Sequence, residues 1–217
     1  MKKSALLWNQ LLWAVLVVTL VGIGAKTIFK STGLVSKKTT SENPDNLPLY
    51  GKIPDFSLTE QNGKQITEKD LLGKVWIADF VFTHCAGPCP LMSGIMKELQ
   101  KKLEEESDIR LVSFSVDPER DTPQVLSEYA KRYQANPEKW FFLTGDKTKI
   151  HQLSMQHFHL AVGDVPLEDR EARDQNVYHS TKFVLVDKQG KIRGYYSTQP
   201  AADLNRLADD ARKLLKN

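Results

Sequence analysis

Val75-Trp76-Ile77-Ala78-Asp79-Phe80-Val81-Phe82-Thr83-His84-Cys85-Ala86-Gly87-Pro88-Cys89-Pro90 is the stretch on which the reading of this chain turns. Its first half is short, apolar and partly β-branched and aromatic, which predicts a buried strand. After it, Leu91, Ile95, Met96, Leu99 and Leu103 recur at helical spacing. The two cysteines of the chain therefore sit where a central strand hands over to a helix. Gly87 lets the backbone turn, and Pro90 suits a first helical turn, where a missing N–H costs nothing. Cys85 and Cys89 are four residues apart, so a near-helical turn puts both sulfurs on one side. The positive end of the helix dipole favours thiolate over thiol there. Such a pair makes a metal site or a redox site.

Moving outward, Asn62-Gly63 lies between short alternating runs and predicts a hairpin. Ile109 to Val116 reads as a second apolar strand, ending in Asp117-Pro118-Glu119-Arg120-Asp121-Thr122-Pro123. Thr122 is a good N-cap there and Pro123 a good first helical residue. Helix over Leu126–Tyr133, strand over Trp140–Leu143 and a shorter helix over Lys147–Phe158 follow. Leu160 to Tyr178 is polar and acidic and reads as a long surface loop. Thr181–Val186 and Ile192–Tyr196 form a closing hairpin, and Leu204–Leu215 an amphipathic helix. Strands alternating with helices predict an α/β domain with a mixed central sheet flanked by helices. In such sheets sites gather at the carboxyl ends of strands. Three ends qualify: Phe82–Cys85, Val116–Asp121 and the loop reaching His179.

At 217 residues the chain has room for one sizeable core and an appendage. The appendage is N-terminal. Leu6 to Ala25 is almost wholly apolar behind Lys2-Lys3, long enough to cross a bilayer. A signal peptide has a shorter apolar run, about 7–15 residues, and a small-x-small cleavage site that Gly22-Ile23-Gly24-Ala25 matches poorly. The expected organisation is a cytoplasmic N-terminus (1–4), a transmembrane anchor (5–25), a Lys/Ser/Thr-rich linker (26–50) and one domain (51–217). The net charge of +3 comes from four lysines among the first 30 residues; the rest carries 26 basic against 27 acidic side chains. Nothing in that balance suits nucleic acid.

Three motifs together resemble the Sco/SenC family of membrane-anchored, thioredoxin-fold copper proteins. They are Phe82-Thr83-x-Cys85-x-x-x-Cys89-Pro90, the run Ser115 to Pro123, and His179-Ser180 followed by Phe183-x-Leu185-x-Asp187-x-x-Gly190. The resemblance covers roughly residues 50 to 215. It departs at Ala86-Gly87-Pro88, where the family more often has Pro and Asp. It implies a thioredoxin-like fold and copper, as Cu(I) or Cu(II), held by Cys85, Cys89 and His179. The same two cysteines would form a redox-active disulfide. It further implies a domain on the periplasmic or extracytoplasmic side of the cell membrane, held by a single-pass anchor. The implied act is delivery of copper to the binuclear copper centre of cytochrome c oxidase, or reduction of that centre's cysteines. The implied partner is the copper-bearing oxidase subunit or another copper chaperone, and a monomer is expected. Asp117 and Asp121 are expected to order the loop behind the ligands, although Asp121 could equally serve the helix starting near Thr122.

The residues agree with that reading on their own terms. Two thiolates and an imidazole suit Cu(I) and can also hold Cu(II). A structural disulfide across so short a loop would be a weak staple. His84, His151, His157 and His159 give no closed ligand set. Met92 and Met96 have the spacing of core residues. The rival class is a thiol–disulfide oxidoreductase or thiol peroxidase, with no separate catalytic residue beyond the dithiol. Against it stand the three-residue spacing between the cysteines and His179-Ser180, where thioredoxin-like enzymes carry a cis-proline. The peroxidase proline upstream of the threonine is also missing. A metallochaperone with scope for dithiol reduction is the expected function.

Overall fold

The structure is a computed structural model in which residues 45–165, 177–199 and 201–216 are described. The expected anchor, residues 5–25, and most of the linker lie outside them. Among the described residues no helix is long and apolar enough to cross a membrane. A compact unit spans Asn43–Asn217.

Its elements in chain order are β1 (Gly51–Lys52), β2 (Ser57–Glu60), β3 (Gln65–Thr67), α1 (Glu68–Leu71), β4 (Val75–Val81), α2 (Pro88–Lys102), β5 (Ile109–Ser115) and α3 (Pro123–Arg132). There follow β6 (Trp140–Thr144), α4 (Lys147–Gln152) with a π-helical turn at Leu153–His157, β7 (Val162–Asp164), β8 (Val177–His179), β9 (Lys182–Val186), β10 (Lys191–Ser197) and α5 (Ala201–Leu215). Eight strands form one mixed sheet in the order β1-β10-β9-β4-β5-β6-β2-β3. β4 pairs parallel to β5, and β5 parallel to β6, whereas β9 runs antiparallel to β4. That is the mixed α/β architecture expected.

β4 is buried at every position, so it reads as a continuous run rather than an alternation. One face of it packs aromatic rings: Phe80 stacks on Phe114 at 5.0 Å and meets Phe158 edge-on at 5.2 Å. The Asn62-Gly63 turn joins β2 to β3, with Gly63 at φ 87°, where a Cβ would be strained. The Thr122 hydroxyl caps α3 by accepting from the Val125 amide at 3.3 Å, with Pro123 next. Buried Lys139 closes the other end of α2, its ammonium donating to the Leu103, Glu104 and Glu106 carbonyls.

Two findings differ from the sequence reading. Residues 160–178 are not simply a loop: Val162–Asp164 and Val177–His179 pair as a separate antiparallel hairpin, with His179 opposite Val162. Three-residue strands are too short to show a period, and the polar residues between them hid the pairing. In addition, residues 45–50, read as tether, lie against β10. Buried Arg193 donates to Asp45 at 2.5 Å, to Asp187 at 3.1 Å and to the Leu47 and Pro48 carbonyls at 3.0 Å.

Candidate metal centre

β4 delivers Phe82 to the carboxyl end of the sheet, and the chain then turns, with the Cys85 amide donating to the Phe82 carbonyl at 3.3 Å. Gly87 sits at the N-cap of α2 and Pro88 opens the helix, so Cys89 falls in its first turn. That places one sulfur on the turn and the other on the helix. The hairpin β7–β8 brings His179 to the same spot from a point 90 residues downstream. The sulfurs of Cys85 and Cys89 and a ring nitrogen of His179 all lie within 4.8 Å of one another. His179 Nε2 is 3.0 Å from Cys89 Sγ.

The imidazole orientation is fixed on both sides. His179 Nδ1 lies 2.9 Å from the Ser180 carbonyl, which can only accept, so Nδ1 carries the proton and Nε2 keeps its lone pair for the sulfurs. Phe82 packs edge-on against the ring at 5.6 Å. Both cysteines are buried and His179 is half-buried.

The two thiols do not share their protons equally. A hydrogen bond from Cys89 holds the Cys85 thiol far below its usual range, against the effect of burial. The same bond to Cys85, with burial and the nearby charges of Cys85 and Asp79, pushes Cys89 up. In the metal-free dithiol, Cys85 is the thiolate and Cys89 holds the remaining proton.

Asp121 stands behind this loop. It is fully buried, and it accepts from the Thr83 hydroxyl at 2.6 Å, the Thr83 amide at 3.2 Å and the Ser115 hydroxyl at 2.6 Å. Burial nevertheless raises its carboxyl above the ordinary range, opposed by those bonds. Thr83 is two residues before Cys85, so this cluster ties the cysteine turn to the end of β5. Asp117 is instead paired with Arg120 at 2.5 Å. In the same loop Glu119 shares Lys147 with Asp164 of the β7–β8 hairpin, at 3.6 and 2.9 Å. The 117–121 segment thus touches both carriers of the donor set.

The remaining candidates lie elsewhere. His84 is exposed, with Nδ1 3.1 Å from the Thr83 hydroxyl. His151 reaches the Val116 carbonyl at 2.9 Å. Met92 and Met96 are fully buried core residues. A cleft of about 580 Å³, lined by residues such as Phe56, Leu58, Ile150 and His157, contains none of the three donors. One residue that the sequence reading left as ordinary strand is Asp79, whose signal was an acid in the middle of an apolar run.

Two sulfurs and one imidazole nitrogen form a donor set that suits a soft ion such as Cu(I) and can also hold Cu(II). Three protein donors leave a position open to an incoming group.

Comparison with known proteins identifies the family. The SCO1/SenC family model matches residues 48–216. The SCO1 protein homolog of Bacillus subtilis is 39% identical over 152 residues, 69% of this chain and 76% of that protein. The structure of BsSco, described as having a disulfide switch and as a member of the Sco family of cytochrome c oxidase assembly proteins, superposes with a TM-score of 0.66. It is 34% identical over 78% of this chain and 96% of that one. ScoI of Arabidopsis thaliana with copper bound gives a TM-score of 0.62 at 30% identity, over 76% of this chain and 98% of that one.

Proposed function

The chain belongs to the SCO1/SenC family, and from that premise we propose that it binds copper through Cys85, Cys89 and His179 and acts in the assembly of cytochrome c oxidase. The observation that carries this reading is the convergence of two sulfurs and a correctly protonated imidazole from positions 90 residues apart. Asp121 and, through Arg120, Asp117 order the loop behind the ligands. The act itself is delivery of copper to the binuclear centre of the oxidase, with reduction of that centre's cysteines by the same dithiol as the companion chemistry. Residues 5–25 anchor the chain in the cell membrane, and the domain works on its extracytoplasmic side. The apolar run from Leu6 to Ala25 supports that placement.

A second reading, a thiol–disulfide oxidoreductase, is favoured by the ionised Cys85, since the thiolate is the attacking species. One experiment separates them. The reduced full chain should bind one copper, with X-ray absorption showing two sulfurs and one nitrogen around it. Oxidation of the pair should release the ion. His179→Ala should weaken copper retention by more than about tenfold while leaving dithiol exchange intact. Rapid catalytic reduction of insulin by a chain with no affinity for copper would replace the first reading by the second.

A further inference from the structure

Asp79 is the least explained residue in the core. It sits in the middle of β4, 0% exposed, and neither carboxylate oxygen has a hydrogen-bond partner. Buried carboxylates are expensive unless paired, and native cores rarely leave one orphaned. Asp121, equally buried, has three donors. A position that served only packing would be better filled by an apolar side chain, so the acid itself needs a reason.

Its surroundings supply one. Strand alternation puts Asp79 on the face of β4 shared by Val75, Ile77 and Val81, away from the Phe80 stack. From β5, Ser113 is its register partner but lies outside hydrogen-bond geometry, and its hydroxyl already accepts from Trp140 Nε1 of β6 at 2.9 Å. From β9 the neighbouring residues Phe183 and Val184 are apolar. α5 packs on β4 with Leu207, Ala208 and Ala211 buried, and its one buried acid, Asp210, is taken by Tyr196 and Lys213. α2 also packs on β4; its Ser93 is taken by Tyr129, which leaves Cys89 as its ionisable group there. His179 comes from β8. Cys89 Sγ accepts from the Phe82 amide at 3.5 Å, three residues along β4 from Asp79, and the charge of Asp79 helps to push the Cys89 thiol up.

We propose that Asp79 is a specificity-determining residue for the oxidation state of the bound ion, its unshared negative charge favouring Cu(II) over Cu(I) at the Cys85–Cys89–His179 site. The inference rests on the copper-binding reading above. The charge count makes it specific. With the same donors and the same protons released, the site holding Cu(II) carries one more positive charge than the site holding Cu(I), so Asp79 attracts the Cu(II) form by one unit more. Three residues of strand put Asp79 about 10 Å from the contact between Phe82 and Cys89, and one unit charge acting on another at such a distance through the effective dielectric of a protein interior is worth about tenfold in a dissociation constant. The preference should fade as pH falls, because burial raises the Asp79 carboxyl to about 7. Once protonated, it exerts no net charge.

The test compares the full-length chain with its Asp79→Asn and Asp79→Glu variants, titrating Cu(I) and Cu(II) separately against chelators of known affinity at pH 8 and pH 6. For Asp79→Asn at pH 8 the Cu(II) dissociation constant should rise about tenfold more than that for Cu(I). The bound couple then shifts upward by about 60 mV. Asp79→Glu, which keeps the charge, should restore the wild-type ratio, and the gap between Asn and wild type should shrink at pH 6. Equal weakening of both ions would mean that Asp79 only shapes the fold, and an unchanged ratio would mean that its charge does not reach the metal. Either result overturns the proposal while the copper reading stands. Wild-type chain that binds neither ion would overturn both. Should Asp79→Asn not fold, Asp79→Ala carries the same prediction, with a urea midpoint as the check on folding.

Discussion

Replacing Asp121 by alanine would cut the link between the cysteine turn and the sheet. Three donors converge on this carboxylate: the hydroxyls of Thr83 and Ser115, each at 2.6 Å, and the Thr83 amide at 3.2 Å. Asp121→Ala leaves all three without their partner in a fully buried place. Hydrogen bonds to a charged group contribute about 1.5–3 kcal/mol each, and removing one side of a buried charged cluster typically costs about 3–5 kcal/mol. The desolvation that raises the Asp121 carboxyl already offsets part of that gain, so the lower half of the range, about 3–4 kcal/mol, is the expected loss. Urea unfolding of the reduced unit Asn43–Asn217 measures it, with an unchanged slope. The pH dependence has a definite sign. A carboxyl whose folded value lies above its unfolded one contributes most below the ordinary carboxylate range and less as pH rises through the folded value. The gap between wild type and Asp121→Ala should therefore narrow between pH 4 and pH 8. A loss below about 1 kcal/mol at pH 7, or a gap that widens over that interval, would refute the reasoning.

Two further outcomes test the frame around the site. Arg193→Met leaves Asp45 and Asp187 buried without their cation and should cost about 3–5 kcal/mol in a urea titration, with faster proteolysis ahead of β1. Lys139→Met removes the ammonium that closes the end of α2 on three carbonyls and should cost about 2–3 kcal/mol in the same assay, leaving thiol reactivity unchanged.

Much of this arrangement was legible in the residues because the relevant physics is local. The apolar run of β4, broken by Asp79 alone, announces a strand buried on both faces, as found. Asn62-Gly63 and Thr122-Pro123 specify a turn and a helix start through backbone preferences that need no tertiary help. Four-residue spacing puts two sulfurs on one side of a helical turn whatever surrounds them. The β7–β8 hairpin was not legible, since three-residue strands carry no usable period. Its pairing with His179 depends on contacts far away in sequence. The approach of His179 to the cysteines is likewise a property of the topology; in the sequence the strand-end rule marked the loop that reaches it, and the family resemblance named it as a ligand. Asp79 was visible as an acid among apolar residues, but its lack of any partner is a fact of packing, which no pattern of letters records.

The clamp around Arg193 has a mechanical corollary. β9 runs opposite to β4, so Asp187 lies at the end of the sheet remote from Phe82 and the cysteines. Asp45 is fastened at that same remote end. A pull on the N-terminal segment is therefore taken up at the pole opposite the dithiol, like a lamp held by its base.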